Sequence, residues 1–75
     1  MIHLTRVDAG RNMARFYRME VQPTLLGDWS LITQWGRIGS RGRVQERTFT
    51  DEVSASMALS DRLSVKARRG YKGLP

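Results

Sequence analysis

The chain has 75 residues, no cysteine, and thirteen Lys or Arg residues against seven Asp or Glu, which give a formal charge of +6. A chain of this length buries only about 60% of the surface of its unfolded state, so two cores are excluded and residues 1–75 should form one domain. The lack of cysteine excludes disulfides and thiolate metal sites. Eleven of the cations are arginine, which binds phosphate through two hydrogen bonds at once. The charge therefore favours an anionic partner, with nucleic acid ahead of a membrane surface or an acidic protein.

The first part of the chain alternates apolar and polar residues with the period of a β-strand. Residues 2–7 predict a short edge strand, residues 8–12 a turn, and residues 14–22 a second strand in which Arg15 interrupts the alternation. No apolar run reaches the roughly 18 to 20 residues of a membrane span, and no signal-peptide core precedes the first strand. We therefore expect a cytoplasmic protein without membrane contact.

A hairpin connection should follow the second strand. Pro23 cannot donate to a strand ladder, and Gly27 favours a turn, so residues 23–28 predict the connection to a return strand at residues 29–38. Trp29 is assigned to the core together with the next residue on its face, Leu31.

The second half of the chain predicts one more hairpin and one helix. Residues 39–42 predict a tight turn and residues 43–49 a further strand. A helix should then run from about residue 51 to about residue 69, with Thr50 or Asp51 as its N-cap.

The helix should pack across one face of the sheet, with Leu59 and Leu63 buried beneath it. Gly70 suits the left-handed position after the helix, Tyr71 can fold back on the last turn, and residues 72–75 predict a mobile tail. At 100° per residue, the predicted packing side contains Val53, Ser56, Met57, Leu59, Ser60, Leu63 and Ala67. The predicted fold class is α+β, a twisted antiparallel sheet of about four strands with one C-terminal α-helix.

The stretch Gln34–Gly39 combines a large aromatic residue, a bare backbone and a fixed cation. Trp35 offers a flat face, Gly36 allows close approach of a ligand or of another backbone, and Arg37 offers a planar set of five donors. Taken singly, a strand Trp is usually a core residue, a strand Gly marks a bulge or bend, and a strand Arg lies in solvent. Together they suit a polyanion that has stackable groups.

The sequence does not offer a set of catalytic residues. Acid–base catalysis needs paired groups with separated pKa values, and nucleophilic catalysis needs an activated Ser or Cys beside a base; neither can be assembled here. His3 is the only histidine, so we expect no metal site and no cofactor. The prediction is a protein without enzymatic activity.

The signature Trp35-Gly36-Arg37, followed by Ile38-Gly39 and by Gly42, resembles that of the WGR domain family. The resemblance extends to an aromatic strand at residues 16–21, a helix entry at residues 48–50 and the Gly70-Tyr71 ending. In that family the module occurs as short stand-alone bacterial proteins and inside some poly(ADP-ribose) polymerases, where it helps engage broken DNA ends while another domain performs catalysis. The resemblance thus implies a DNA-binding module with a preference for ends.

Three hypotheses about function follow. The first is a nucleic-acid-binding module, with DNA favoured over RNA, in which Trp35 packs against a sugar or a terminal base. The second is a protein-interaction adaptor that uses the same Trp and Arg surface, and the third is a purely structural signature. We expect Trp35 to be partly exposed near Arg37 and Arg47, with Trp29 the more buried indole. The candidate nucleic-acid-binding residues are Trp35, Gly36, Arg37, Arg41, Arg43 and Arg47, of which the four arginines should converge at one hairpin end.

Overall fold

The computed structural model describes residues 1–73, which form a five-stranded antiparallel sheet with one helix across it. The elements are β1 (Ile2–Asp8), a 3-10 turn (Ala9–Arg11), β2 (Met13–Pro23), β3 (Trp29–Arg37), β4 (Arg43–Phe49), α1 (Glu52–Arg68) and β5 (Lys72–Gly73). The strands lie in the order β4-β3-β2-β1-β5. The predicted α+β class is confirmed, with one strand more than expected.

The additional strand corrects two expectations about the sheet edge. Lys72 and Gly73 pair with Thr5 and Leu4, so β1 is covered at its middle and these two residues are not a mobile tail. The remainder of the predicted tail, residues 74–75, lies outside the described residues.

The core lies between the sheet and α1. The strand register places the buried side chains of Leu4, Tyr17, Met19 and Leu31 on the same face, because Leu4 pairs with Tyr17 and successive residues alternate between faces. The helix contacts β2, β3 and β4 on that face. Trp29 is only half-buried and is not among the residues packed against this cluster, whereas Trp35 is. The expected order of burial of the two indoles is therefore not supported.

The helix packs through a different face from the one predicted. Ala55 is fully buried, but Val53 and Met57 are 67% and 62% exposed. Leu59 and Leu63 pack against the core cluster as expected, although they are half-buried where full burial was predicted. The predicted packing side did not include Ala55, whereas this small residue faces the sheet and allows the helix to approach it closely. No helix within residues 1–73 is long and apolar enough to cross a membrane.

Both helix ends are capped by side chains or turns that the sequence signals. Asp51 is the N-cap and accepts a hydrogen bond from the Ser54 backbone N–H at 2.7 Å, and the hydrogen bonds from Ser54 hold the pKa of Asp51 below its usual value. At the other end Gly70 takes a φ of 92°. The Tyr71 N–H donates to the Lys66 carbonyl at 3.1 Å, which is the closing bond of a Schellman motif.

Candidate nucleic-acid interface

A cleft of about 460 Å³ opens where the last turn of α1 meets the start of β2 and the end of β3. We call it the helix-end cleft. It contains two aromatic rings and three cations but no carboxylate. Its lining residues are Arg15, Trp35, Gly36, Arg37, Lys66 and Tyr71.

The two central strands bring the signature residues to the helix-covered face. Arg15 pairs with Arg37 and Tyr17 pairs with Trp35 across β2 and β3, and directly opposed residues of an antiparallel pair point to the same side. Tyr17 is buried, and its ring stacks on that of Trp35 with centroids 6.0 Å apart and an interplanar angle of 23°. Tyr17 therefore supports one face of the Trp35 ring, while another part of the ring remains open to the cleft.

The end of the helix supplies the opposite wall. The Schellman motif fixes Tyr71 beside Lys66, whose Nζ lies 5.2 Å from the Tyr71 ring centroid and 4.5 Å from that of Tyr17. Partial burial lowers the pKa of Lys66 below its usual value, and the positive charges of Arg69, Arg62 and Arg15 lower it further. Cation–π interactions with the rings of Tyr17 and Tyr71 stabilise the charged form of Lys66 and so oppose part of this lowering.

The arrangement favours a bound anion. Within residues 1–73, one salt bridge forms, between Arg11 and Asp8 at 3.7 Å. The cations of the helix-end cleft therefore have no carboxylate partner in this part of the chain. A phosphate beside Lys66 would oppose the effect of its cationic neighbours and raise its pKa. Guanidinium groups bind phosphate through paired hydrogen bonds, and a half-open indole can stack on a base or pack against a sugar. The same part of the chain contains no cluster of three or more His, Cys, Asp or Glu that could hold a metal ion.

Gly36 is required for the packing of its own hairpin. A Cβ built on Gly36 would lie 2.6 Å from the Gly42 Cα, and one built on Gly42 would collide with the Trp35 carbonyl. Gly42 also has a φ of 68°, which side-chain-bearing residues rarely adopt. The sequence allowed either a ligand or another backbone to approach Gly36, and in the structure the backbone of Gly42 does so.

The loop after the signature is ordered by its own hydrogen bonds. The Ser40 backbone N–H and hydroxyl both donate to the Arg37 carbonyl, at 3.0 and 2.7 Å. The Gln34 amide donates to the Arg41 carbonyl at 2.6 Å, and the Ile38 N–H donates to the Ala14 carbonyl at 2.9 Å. These bonds fix the backbone of Arg37 at the end of β3, so its side chain projects from a defined position.

Comparison with known proteins identifies the family of this chain. The model of the WGR domain family matches residues 1–74. The chain belongs to the WGR domain family. In poly(ADP-ribose) polymerases the module of this family is of the nucleic-acid-binding type.

One curated relative of this WGR domain is the uncharacterized protein y4dW of Sinorhizobium fredii. It is 40% identical over 74 residues, which are 99% of the present chain and 36% of that protein. The chain therefore spans little more than a third of the relative's length. No solved structure gives a significant match.

The predicted arginines of this WGR domain are not all in one place. Trp35 and Arg37 line the helix-end cleft, and Arg43 pairs with Trp35 from the neighbouring strand. Arg47 lies four residues further along β4, roughly 13 Å away, with its guanidinium 5.1 Å from the Phe49 ring centroid. Arg41 lies in the loop and does not line the cleft. The expected proximity of Trp35 to Arg37 is observed, whereas Arg47 lies elsewhere.

Three lining residues were not predicted as site residues. Arg15 was predicted only to interrupt the strand alternation, Tyr71 was predicted only to fold back on the last turn of the helix, and Lys66 was not singled out. The signal was nevertheless present, because Arg15 shares the face of Tyr17 and Met19, and a cation among core-facing residues needs an explanation. Lys66 is likewise a cation on the core-facing side of the helix, which it shares with Ala55, Leu59 and Leu63.

Proposed function

We propose that this WGR domain is a nucleic-acid-binding module without catalytic activity, that it prefers DNA to RNA, and that the helix-end cleft is its principal contact. The observation that carries this proposal is the cluster of Arg15, Arg37 and Lys66 around the half-open ring of Trp35, with no carboxylate among the lining residues. Membership of the family supports the nucleic-acid class.

Phosphate contacts would dominate the affinity. Arg15 and Arg37 hold backbone phosphates, Lys66 adds a third positive charge, and Arg43 extends the surface onto β4. Since α1 packs on the sheet and none of the contacts needs a base edge in a groove, we expect weak sequence specificity.

Trp35 would add the contact that distinguishes a duplex end from its interior. Its ring is held by Tyr17 from one side, and it can stack on a base pair or sugar only where the other face of that group is free. Bases in the middle of a duplex are covered on both sides. A preference for DNA ends follows from this contact and agrees with the family resemblance.

The absence of catalysis is proposed from the composition of the site. The lining residues include neither a pair of carboxylates nor a nucleophile beside a base, which are the arrangements that hydrolytic and group-transfer enzymes use. The cleft is suited to holding an anion in place.

The proposal is tested by titrating labelled duplex DNA, single-stranded DNA and RNA at several salt concentrations. About four neutralised phosphates, each of which releases bound counterions, predict a log–log slope of roughly −3 to −4 on duplex DNA. Arg15→Ala should weaken binding at least about tenfold more than Arg11→Ala, which removes the same charge from an exposed residue outside the cleft. Equal effects of the two substitutions would show that total charge, and not the cleft, determines binding.

The alternative function is a protein-interaction adaptor that uses the same Trp35 and Arg37 surface. A slope near zero, or no measurable affinity for any of the three nucleic acids at low salt, would favour this alternative.

A further inference from the structure

Two adjacent leucines stand fully in solvent at the end of the sheet opposite the helix-end cleft. Leu25 and Leu26 are 105% and 90% exposed and lie in the Thr24–Asp28 loop between β2 and β3, which we call the leucine tip. Single exposed apolar residues are common on protein surfaces, but a contiguous apolar projection usually marks a binding site.

The leucine tip is ordered before any partner binds. The Thr24 hydroxyl oxygen accepts hydrogen bonds from the Leu26 N–H at 3.3 Å and from the Asp28 N–H at 3.2 Å. The Thr24 N–H donates to the Asp28 carbonyl at 2.9 Å, and Gly27 takes a φ of 91°. A loop that is already fixed loses little conformational freedom when it docks, which favours association.

The charge around the leucine tip is opposite to that of the helix-end cleft. Asp28 is part of the tip, and the pairing of Trp29 with Phe49 places the start of α1, with Asp51 and Glu52, at the same end of the sheet. Within residues 1–73 none of these three carboxylates forms a salt bridge. These carboxylates outnumber the guanidinium of Arg47, which lies over the Phe49 ring at the same end of the sheet. Their charge opposes the binding of nucleic acid and of anionic lipid surfaces.

The surface on this molecule that complements the tip is the helix-end cleft. The cleft has aromatic walls, cationic residues without carboxylate partners, and a volume of about 460 Å³, which lies in the range of roughly 300–1,000 Å³ typical of ligand sites. Trp29 and Trp35 are six residues apart on one strand, so tip and cleft are separated by about 20 Å. The leucine tip of one molecule therefore cannot reach its own cleft, and a tip that docks in the cleft must come from a second copy.

We propose that the leucine tip of one copy docks in the helix-end cleft of another, so that the protein associates head to tail. Leu25 and Leu26 pack against Trp35 and Tyr71, and Asp28 lies near the cationic rim. Because the contact joins two different surfaces, it is open-ended and adds further copies unless one end is blocked. A single contact of this size is weak, and we expect association at about 0.1–1 mM protein.

The consequence for nucleic acid rests on the proposed function. If the cleft is also the phosphate site, a docked tip and a bound oligonucleotide exclude each other. Copies that have no DNA bound would then associate with one another through the cleft, and DNA binding would dissociate them.

The test is sedimentation velocity of the protein alone at low salt, between about 10 µM and 1 mM. One variant, Leu25→Ser with Leu26→Ser, removes the tip, and another, Arg37→Glu, alters the cleft; both change exposed residues. Each variant alone should associate at least about tenfold more weakly than the wild type, whereas their mixture should form a one-to-one dimer and nothing larger. Met57→Ser, which changes an exposed apolar residue on the helix, should associate as the wild type does.

A wild type that stays monomeric to 1 mM, or a mixture that does not form the dimer, would overturn the proposal. Equal association of the tip variant and the wild type would also overturn it, because another surface would then be responsible. A separate DNA titration of the Arg37→Glu variant keeps the two proposals apart. Full DNA affinity in that variant would refute the cleft as the nucleic-acid site and leave the tip contact standing.

Discussion

Replacing Gly36 by alanine tests whether this glycine is needed for packing or for a ligand. The added Cβ would lie 2.6 Å from the Gly42 Cα, about 1 Å closer than the roughly 3.5–4.0 Å at which carbon atoms pack favourably. The atom that must move belongs to the backbone of a loop fixed by hydrogen bonds from Ser40 and Gln34. The clash therefore cannot be relieved by rotating a side chain.

The expected cost of Gly36→Ala is about 1–3 kcal/mol, as for other overpacked sites. A chain of this length has roughly 4–11 kcal/mol of total stability, so the loss is a substantial part of it. At roughly 4–8 °C per kcal/mol for a small domain, the melting temperature should fall by about 4–24 °C.

Two other glycines separate the contributions to this cost. Gly10 has no positive φ, and the atom nearest its Cβ position is the Asp8 carboxylate oxygen at 3.4 Å, so Gly10→Ala should change stability by no more than about 0.5 kcal/mol. Gly39 has a φ of 95° and open space around it, so Gly39→Ala should show the cost of backbone conformation alone, about 1–2 kcal/mol.

Urea unfolding followed by circular dichroism gives the free energy of unfolding for the wild type and the three variants. If Gly36→Ala is as stable as Gly10→Ala, the close approach of Gly42 does not constrain the hairpin and the packing argument is wrong. Weakened DNA binding in a Gly36→Ala variant of unchanged stability would show that the glycine makes room for a ligand.

Four further predictions follow from the site and the helix. Arg37→Lys keeps the charge but removes the planar donor set, and should weaken DNA binding in a fluorescence titration without loss of the folded circular dichroism spectrum. Trp35→Ala should weaken end binding and also lower stability by about 2 kcal/mol, roughly half the cost of deleting a fully buried Trp, because the ring packs on Tyr17; an unchanged urea midpoint would contradict this packing. A lysine attracts an anion only in its charged form, and the pKa of Lys66 is lowered. If the cleft is the binding site, oligonucleotide affinity should fall as the pH rises through that pKa, below the usual lysine range, and Lys66→Met should remove this alkaline dependence. Asp51 has a lowered pKa as the helix cap, so its contribution to the melting temperature should persist at neutral pH, disappear as the pH falls through that pKa, and be absent at all pH values in Asp51→Ala.

The strands and the helix could be predicted because each has a local cause. The alternation of Tyr17, Met19 and Val21, the turn residue Gly27 and the cap Asp51 all act through neighbouring residues, and their elements were found close to the predicted positions. The two-residue strand β5 has no such local pattern and forms only because β1 presents a free edge. It could not be found before the sheet was known.

The site was predicted less completely because it depends on register between distant elements. Trp35 and Arg37 could be selected from their residue types, but the presence of Arg15 follows from its pairing with Arg37, and that of Lys66 from the helix face that contacts the sheet. Arg47 was assigned to the site from sequence proximity to the hairpin end. The length of β4 instead carries it away from Trp35.

The pairing of β5 with β1 has a consequence for how this domain can be combined with others. Leu4 and Gly73 are directly opposed in an antiparallel pair, so the first and last described segments lie side by side and run in opposite directions. Polypeptide joined to either segment would leave from nearby points on one edge of the sheet, a geometry that permits a domain to be inserted into a loop of a larger protein. The leucine tip lies in the loop between β2 and β3, away from this edge, and would keep its form in such a host. The helix-end cleft includes Tyr71, the residue before β5, and so depends on this edge staying intact.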